Sequence, residues 1–243
     1  MQNSPLISVI IPTKNVANTL RQTLESVVNQ TYTNTEVLVV DYQSTDETQA
    51  IATSFDNVRF ISENSPGIYQ AMNTGIAQAN GTWLYFLGAD DVLFDEHVFT
   101  CIFSQSIPNT CYWILGKVEN VSVTNSFVKT IYTNTLTSGI YWRNILHHQG
   151  ILYHKEVFLK EQYDTRFAVL ADYAFNLKLY LSGVKSYQSN CFIAKSNAEG
   201  ISKQFTHALY NEELALKNEL LPFIPKIINW FVIKGKRWVK VKG

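Results

Sequence analysis

Between residues 6 and 87 four short apolar runs alternate with stretches of helical spacing, and this alternation leaves few folds open to the chain. Residues 6–11 form a β-branched run stopped by Pro12, which predicts a buried first strand followed at once by a loop. Leu20, Leu24, Val27 and Val28 then share a helical face, with Asn18 as its N-cap. Residues 36–41 read as the second strand, and Ser44 and Glu47, three apart, predict a capping box that opens the next helix. Residues 58–62 make a third strand, and Ile68, Met72, Ile76 and Ala79 mark a helix face ending at Asn80-Gly81. Residues 82–87 are the fourth strand. Strands and helices in this order predict an α/β fold with right-handed crossovers, its mostly parallel central sheet flanked by helices. Ligands bind such sheets outside the carboxyl ends of the strands, so the loops at 12–15, 41–44 and 88–91 are expected to line one crevice.

The fourth run is apolar on both faces, which places it inside the sheet, and it ends in Gly88-Ala89-Asp90-Asp91. Two adjacent acids on a rigid strand end suit either of two roles. One is a turn with a helix cap. The other is the holding of magnesium or manganese jointly with a phosphate, because hard oxygen ligands suit those ions.

The second half is less regular. Residues 112–117 and 126–131 read as antiparallel strands, and 150–153 as a short strand preceded by His147-His148-Gln149. A loop at 163–167 precedes a helix that opens at Ala171-Asp172-Tyr173 and is closed by Gly183. Residues 191–194 look like a strand, followed by a polar loop with Gly200-Ile201-Ser202 and a helix to about Leu221. No repeat or Pro/Gly-rich linker divides residues 1–221, so one domain is expected there. In the tail, 222–243, Trp230, Phe231 and Trp238 are interleaved with Lys226, Lys234, Lys236, Arg237, Lys240 and Lys242, and no acid follows Glu219. That mixture suits an anionic membrane surface, or equally a basic tail whose aromatics pack on the domain.

Composition narrows the function classes. Lys plus Arg and Asp plus Glu both number 20, so no net charge draws the chain to nucleic acid. Cys101, Cys111 and Cys191 are odd in number and lack CxxC spacing, which predicts buried free thiols in a reducing compartment. Residues 1–5 carry no positively charged leader, and no run approaches the roughly 20 apolar residues of a membrane span. A cytoplasmic protein, peripheral at the inner face of the cell membrane if its tail binds there, is the expectation.

Taken together, the segments 8–15 (SVIIPTKN), 26–32 (SVVNQTY), 36–41 (EVLVVD) with 44–48 (STDET), and the pair Asp90-Asp91 resemble the N-terminal half of a family 2 glycosyltransferase of the GT-A fold. The stretch 67–76 (GIYQAMNTGI), His148-Gln149-Gly150 and Ala171-Asp172-Tyr173 are similar to bacterial enzymes that build capsule, O-antigen and exopolysaccharide units. The resemblance runs to about Ser202 and excludes the tail. It implies a Rossmann-like nucleotide-sugar-binding half over 1–105 and a smaller acceptor-side half over 106–221. It also implies inverting transfer of a sugar from a nucleoside-diphosphate sugar to a hydroxyl of a glycan or lipid-linked acceptor. By residue, it assigns Asp91 to a divalent cation, Mn2+ or Mg2+, with Asp90 on the metal or ribose side, and Asp172 as the base that deprotonates the acceptor. Pro12, Thr13, Lys14, Asn15, Asp41, Tyr42, Gly67 and Asn73 fall on the donor side, and His148 and Gln149 on the acceptor or phosphate side. His207 is a residual metal-ligand candidate from the C-terminal part.

The residues alone also admit plainer roles: Asp172 as a helix cap, Asp41 as a strand end, Gly67 in a turn, Asn73 on a solvated face and His148 as a structural histidine. Two departures bear on function. Tyr42-Gln43 stands where many relatives have an acid or glycine after the strand-two aspartate, and Ala89 replaces the first acid of a DxD-type triplet. These permit an alternative, a non-catalytic module that binds a nucleotide sugar or glycan; retention of both Asp91 and Asp172 argues for the enzyme. A dinucleotide-dependent oxidoreductase needs a glycine-rich turn after strand one, and Pro12-Thr13-Lys14-Asn15 has none.

Overall fold

The computed structural model describes residues 4–121, 130–197 and 206–221, together with 226, 229, 230 and 232–234. Its first half follows the predicted alternation: β1 (Ile7–Thr13), α1 (Ala17–Val28), β2 (Thr35–Tyr42), α2 (Thr48–Thr53), β3 (Val58–Glu63), α3 (Ile68–Gln78) and β4 (Trp83–Phe86). The second half adds β5 (Val92–Leu93), α4 (Val98–Phe103), β6 (Cys111–Val121), β7 (Ile131–Thr133), β8 (Ile151–His154), α5 (Ala171–Leu181), β9 (Lys185–Asn197) and α6 (His207–Leu220).

The strands form one sheet in the order β3-β2-β1-β4-β8-β6-β9-β5, with β7 paired to β6. β1, β2, β3 and β4 are mutually parallel, whereas β8 turns antiparallel against β4 and begins the mixed acceptor-side half. Strand order reverses at β1, which sends the chain to β2 on one side and receives β4 on the other, so the switch point at which such sheets bind ligands lies at their carboxyl ends. Alternate residues of β1 feed two cores. Ile7, Val9 and Ile11 belong to one core with Leu20, Leu24, Val98 and Phe99, and Ile10 on the other face to a second core that holds Met72, Ile76 and residues of α5.

Several local predictions are corrected. Pro12 does not end β1, which continues to Thr13. Ile10 accepts the Leu87 N–H at 3.1 Å, and Pro12, two residues on, faces the same side beyond the end of β4, where no ladder bond is asked of it. Asn18 lies inside α1, whose N-terminus is satisfied from the β2–α2 loop: Thr48 Oγ1 accepts the Val16 N–H at 2.9 Å and Asp46 the Ala17 N–H at 3.0 Å. Ser44 and Glu47 form no capping box, because the Ser44 hydroxyl is engaged with Asp41 and Asn15. On α3 the buried face runs through Tyr69, Met72 and Ile76, leaving Ile68 48% exposed. β5 and α4 are elements the sequence pattern did not announce. Of the strand expected at 126–131 only Thr130 and Ile131 are described, Ile131 within β7, and Gly200-Ile201-Ser202 lie outside the described residues.

The cysteine expectation also changes. A disulfide joins Cys101 on α4 to Cys191 on β9, leaving Cys111 free. A separation of 90 residues gave no spacing signal, and only the docking of α4 beside β9 brings the two together. The argument from free thiols to a reducing compartment therefore loses its basis. No helix among the described residues is long and apolar enough to cross a membrane. Of the tail, Asn229 is fully buried: it accepts the Lys217 ammonium at 3.0 Å and donates to the Tyr141 carbonyl at 2.9 Å. Trp230 is 43% exposed, with the Lys234 ammonium 5.2 Å from its ring; Phe231 and Trp238, and the cations from Lys236 on, lie outside the described residues.

Candidate active site

All four residues of β4 are buried, so the strand's end is fixed by core contacts whose loss costs roughly 1.5–3 kcal/mol per large side chain. Beyond it the chain does not enter a helix but the short β5, which removes the helix-cap reading of Asp90-Asp91. The Thr23 hydroxyl on α1 is shared between the carbonyls of Ala89 (2.9 Å) and Asp91 (2.8 Å) and pins the turn from below. A Cβ on Gly88 would lie 2.6 Å from Asp91 Oδ2 and 3.1 Å from Asp90 Oδ1, so both carboxylates converge over the glycine. Asp91 Oδ1 accepts the Asn197 N–H at 2.9 Å, and the polar side chains of Ser196 and Gln149 lie near enough to favour its charged form. Burial, aided by the charge of Asp90, nevertheless lifts the Asp91 carboxyl to about 6. Asp90 is exposed.

The loops after β1 and β2 are interlocked. Asp41, buried, accepts the Thr13 hydroxyl at 2.8 Å, the Ser44 hydroxyl at 2.6 Å and the Ser44 N–H at 2.9 Å. Its oxygens thus organise the loops. Asn15, at φ +52°, accepts the Thr45 N–H at 2.8 Å through Oδ1, and its own N–H donates to Ser44 Oγ at 2.7 Å. The Lys14 ammonium stands 4.2 Å from the centre of the Tyr42 ring, so this cation and the departure at 42 form one stacked pair at the rim. Pro12 and Thr13 are buried beneath it. Gly67, at φ +116°, starts α3 in a conformation that L side chains avoid. Asn73 is not a solvated helix position: it donates to the Tyr163 carbonyl at 2.8 Å and accepts the Tyr163 N–H at 3.0 Å, clamping the 163–167 loop to α3.

Asp172 lies in the first turn of α5, whose N-cap is Leu170. Its Oδ1 accepts the Tyr173 N–H at 2.7 Å and shares the Tyr69 hydroxyl, at 3.1 Å, with the Val169 carbonyl at 2.8 Å. His148 Nδ1 stands 3.9 Å from Oδ2. His148, Gln149 and Gly150 form a single 3-10 turn, held where Tyr85 donates to the Gln149 carbonyl at 3.0 Å. Through this turn Gln149 reaches Asp91 and His148 faces Asp172, so the turn bridges the two acids from the two halves of the chain. His207 stands at the first position of α6, and no group of three His, Cys, Asp or Glu side chains able to hold a metal occurs among the described residues. Sequence reading missed Tyr69, Ser196 and Asn197. Tyr69 sits inside the stretch 67–76 and was within reach of that signal, whereas nothing local links Asn197 to an acid 106 residues away.

A Rossmann-like parallel half joined to a mixed half through one curled sheet is the architecture of the GT-A glycosyltransferases. Solved structures agree on the fold. Staphylococcus aureus TarS (residues 1–349) superposes with a TM-score of 0.74 at 18% identity, covering 97% of this chain and 75% of that one. The mannosyltransferase PcManGT from Pyrobaculum calidifontis, in complex with GDP-Man and Mn2+, gives 0.67 at 19% identity over 98% of this chain and 71% of that one. The model of glycosyl transferase family 2 matches residues 8–114. A PGL/p-HBAD biosynthesis glycosyltransferase of Mycobacterium bovis is 30% identical over 98% of this chain and 93% of its own length. The chondroitin synthase of Escherichia coli is 30% identical over 74% of this chain and 27% of its own. The chain belongs to glycosyltransferase family 2.

Proposed function

We propose that the protein transfers a sugar from a nucleoside-diphosphate sugar to a hydroxyl of a glycan or lipid-linked acceptor, with inversion, in bacterial surface polysaccharide synthesis. The observation that carries this reading is the bridge by the His148-Gln149 turn between Asp91 and Asp172. It sets a candidate diphosphate anchor and a candidate base on one crevice. TarS has been solved with UDP-GlcNAc and PcManGT with GDP-Man and Mn2+, which supports a nucleotide-sugar donor here.

In this reading the donor's nucleotide lies along the loops of Pro12, Thr13, Lys14, Asn15, Asp41 and Tyr42, with Gly67 and Asn73 shaping the adjoining wall. Asp91, assisted by Asp90, holds Mn2+ or Mg2+. The donor set fits: two carboxylates meet over Gly88, and such ions take their remaining ligands from phosphate and water. When bound, the ion neutralises charge on the departing diphosphate. Gln149 and Asn197 orient Asp91, and Asp172 takes the proton of the attacking hydroxyl, which otherwise is a poor nucleophile. The exposed Trp230 and Lys234 form the described part of a surface suited to anionic lipid, which would keep the enzyme near a lipid-linked acceptor.

The test is turnover with a panel of nucleotide sugars, Mn2+ or Mg2+, and glycoside or lipid-linked acceptors. Release of nucleoside diphosphate coupled to product of opposite anomeric configuration is expected. Nucleotide binding with no turnover of any donor would favour a binding module instead.

A further inference from the structure

The carboxylate of Asp172 is asymmetric. Oδ1 takes the Tyr173 N–H and the Tyr69 hydroxyl, whereas Oδ2 accepts no hydrogen bond from any described residue. Facing Oδ2 is the His148 ring, set against Phe86 (centroids 5.6 Å apart) and Tyr163 (6.2 Å). Both ring nitrogens are buried, and neither has a hydrogen-bond partner among the described residues. The 3.9 Å between Nδ1 and Oδ2 is too long for a hydrogen bond. An N–H at Nδ1 would be drawn to the carboxylate, to about 2.8 Å. The gap fits a lone pair at Nδ1, with the ring proton on Nε2.

We propose that His148 is a positioning residue for Asp172, its Nδ1 receiving the hydrogen bond of Oδ2–H once the carboxylate has taken the acceptor's proton. The inference rests on reading Asp172 as the base. In the step, the acceptor O–H bond breaks and its proton bonds to Oδ2. The acceptor oxygen bonds to the anomeric carbon, and the electron pair of the old glycosyl–phosphate bond leaves with the diphosphate. Once on Oδ2 the proton turns from the acceptor oxygen to Nδ1, and this bond stabilises the protonated carboxyl, favouring proton transfer without tightening substrate binding. Burial pushes the imidazole's affinity for protons down, which keeps the lone pair available. The other groups facing the pair are Tyr69 of α3, Tyr153 of β8 and Tyr163 of the 163–167 loop, all raised by burial and neutral. Glu212 of α6, whose charge reaches Tyr69, binds the Val169 N–H at 3.0 Å.

Nitrogen-15 spectra of the histidine rings test this without knowledge of the sugar. In the unaltered protein at neutral pH, His148 should be uncharged, protonated on Nε2 and unbonded at Nδ1. In Asp172→Asn, whose amide N–H stands in for Oδ2–H, the Nδ1 resonance should move to a hydrogen-bonded position. A proton on Nδ1, a charged ring, or an unmoved Nδ1 in a folded Asp172→Asn variant overturns the inference. With a donor in hand, His148→Phe should lower kcat about tenfold at unchanged donor KM and shift the acid limb of the kcat profile to lower pH, with His148→Asn restoring part of the loss. A raised donor KM at unchanged kcat would instead put His148 on the phosphate. Should Asp172→Asn retain turnover, the base reading itself fails; if that variant is inactive while His148→Phe matches the unaltered enzyme, only the present inference falls.

Discussion

Gly88 and Asp91 are fitted to each other: Asp91 Oδ2 occupies space where a Cβ on residue 88 would lie, at 2.6 Å. The glycine is required by proximity, since its backbone is not in the left-handed region. Gly88→Ala must push the carboxylate aside while leaving β4 paired. The expected outcome is a loss of at least about tenfold in metal-dependent donor affinity, near 1.4 kcal/mol, with little change in unfolding temperature. Calorimetric titration of nucleoside diphosphate with and without Mn2+ checks it.

Asp91 also sets a pH dependence. Its folded carboxyl titrates at about 6, above its ordinary value of 3.8, because burial disfavours the charge. The folded protein therefore binds more protons than the unfolded chain between those values, and stability from this group falls as pH rises through that window. Asp91→Asn should stabilise the metal-free protein by up to about 3 kcal/mol at neutral pH, read by denaturant unfolding, while abolishing metal-dependent donor binding. Protons also compete with the cation, so Mn2+ affinity should weaken below about pH 6, approaching tenfold per pH unit.

In the proposed mechanism Asp172 acts on the acceptor and not on the donor. Asp172→Asn should keep donor binding and lower kcat by about two to four orders of magnitude. Near-normal turnover would refute the base assignment.

Asn73 joins α3 to the 163–167 loop by two hydrogen bonds to the Tyr163 backbone, leaving those groups unpaired if it is truncated. Asn73→Ala should cost about 2 kcal/mol in denaturant unfolding. A neutral effect would mean that the clamp is dispensable and return Asn73 to a direct donor role.

Because Asn229 is buried against Lys217, the tail is better tested at its exposed side chains than by truncation. Trp230→Ser combined with Lys234→Ser should reduce flotation with anionic vesicles and leave neutral vesicles unaffected. Unchanged flotation would sink the membrane reading.

The local pattern alone determined the first half. Periods of two and 3.6, broken at Pro, Asn and Gly, give strand and helix their order, and chirality then dictates parallel pairing and a crevice beyond the strand ends. Asp90-Asp91 and Asp172 were also legible as candidates for one site, through motifs in the right order. What the side chains at that crevice touch was settled only by folding. Asp41 turned inward to tie two loops, Asn73 clamped a distant backbone, Lys14 stacked on Tyr42, and Cys101 met Cys191. The contacts of Asp91 with Asn197, and of Asp172 with Tyr69 and His148, span from 24 to more than 100 residues. Periodicity reports which face of an element is buried; which residues then stand opposite one another depends on sheet order and register, and these emerge only when the whole core packs.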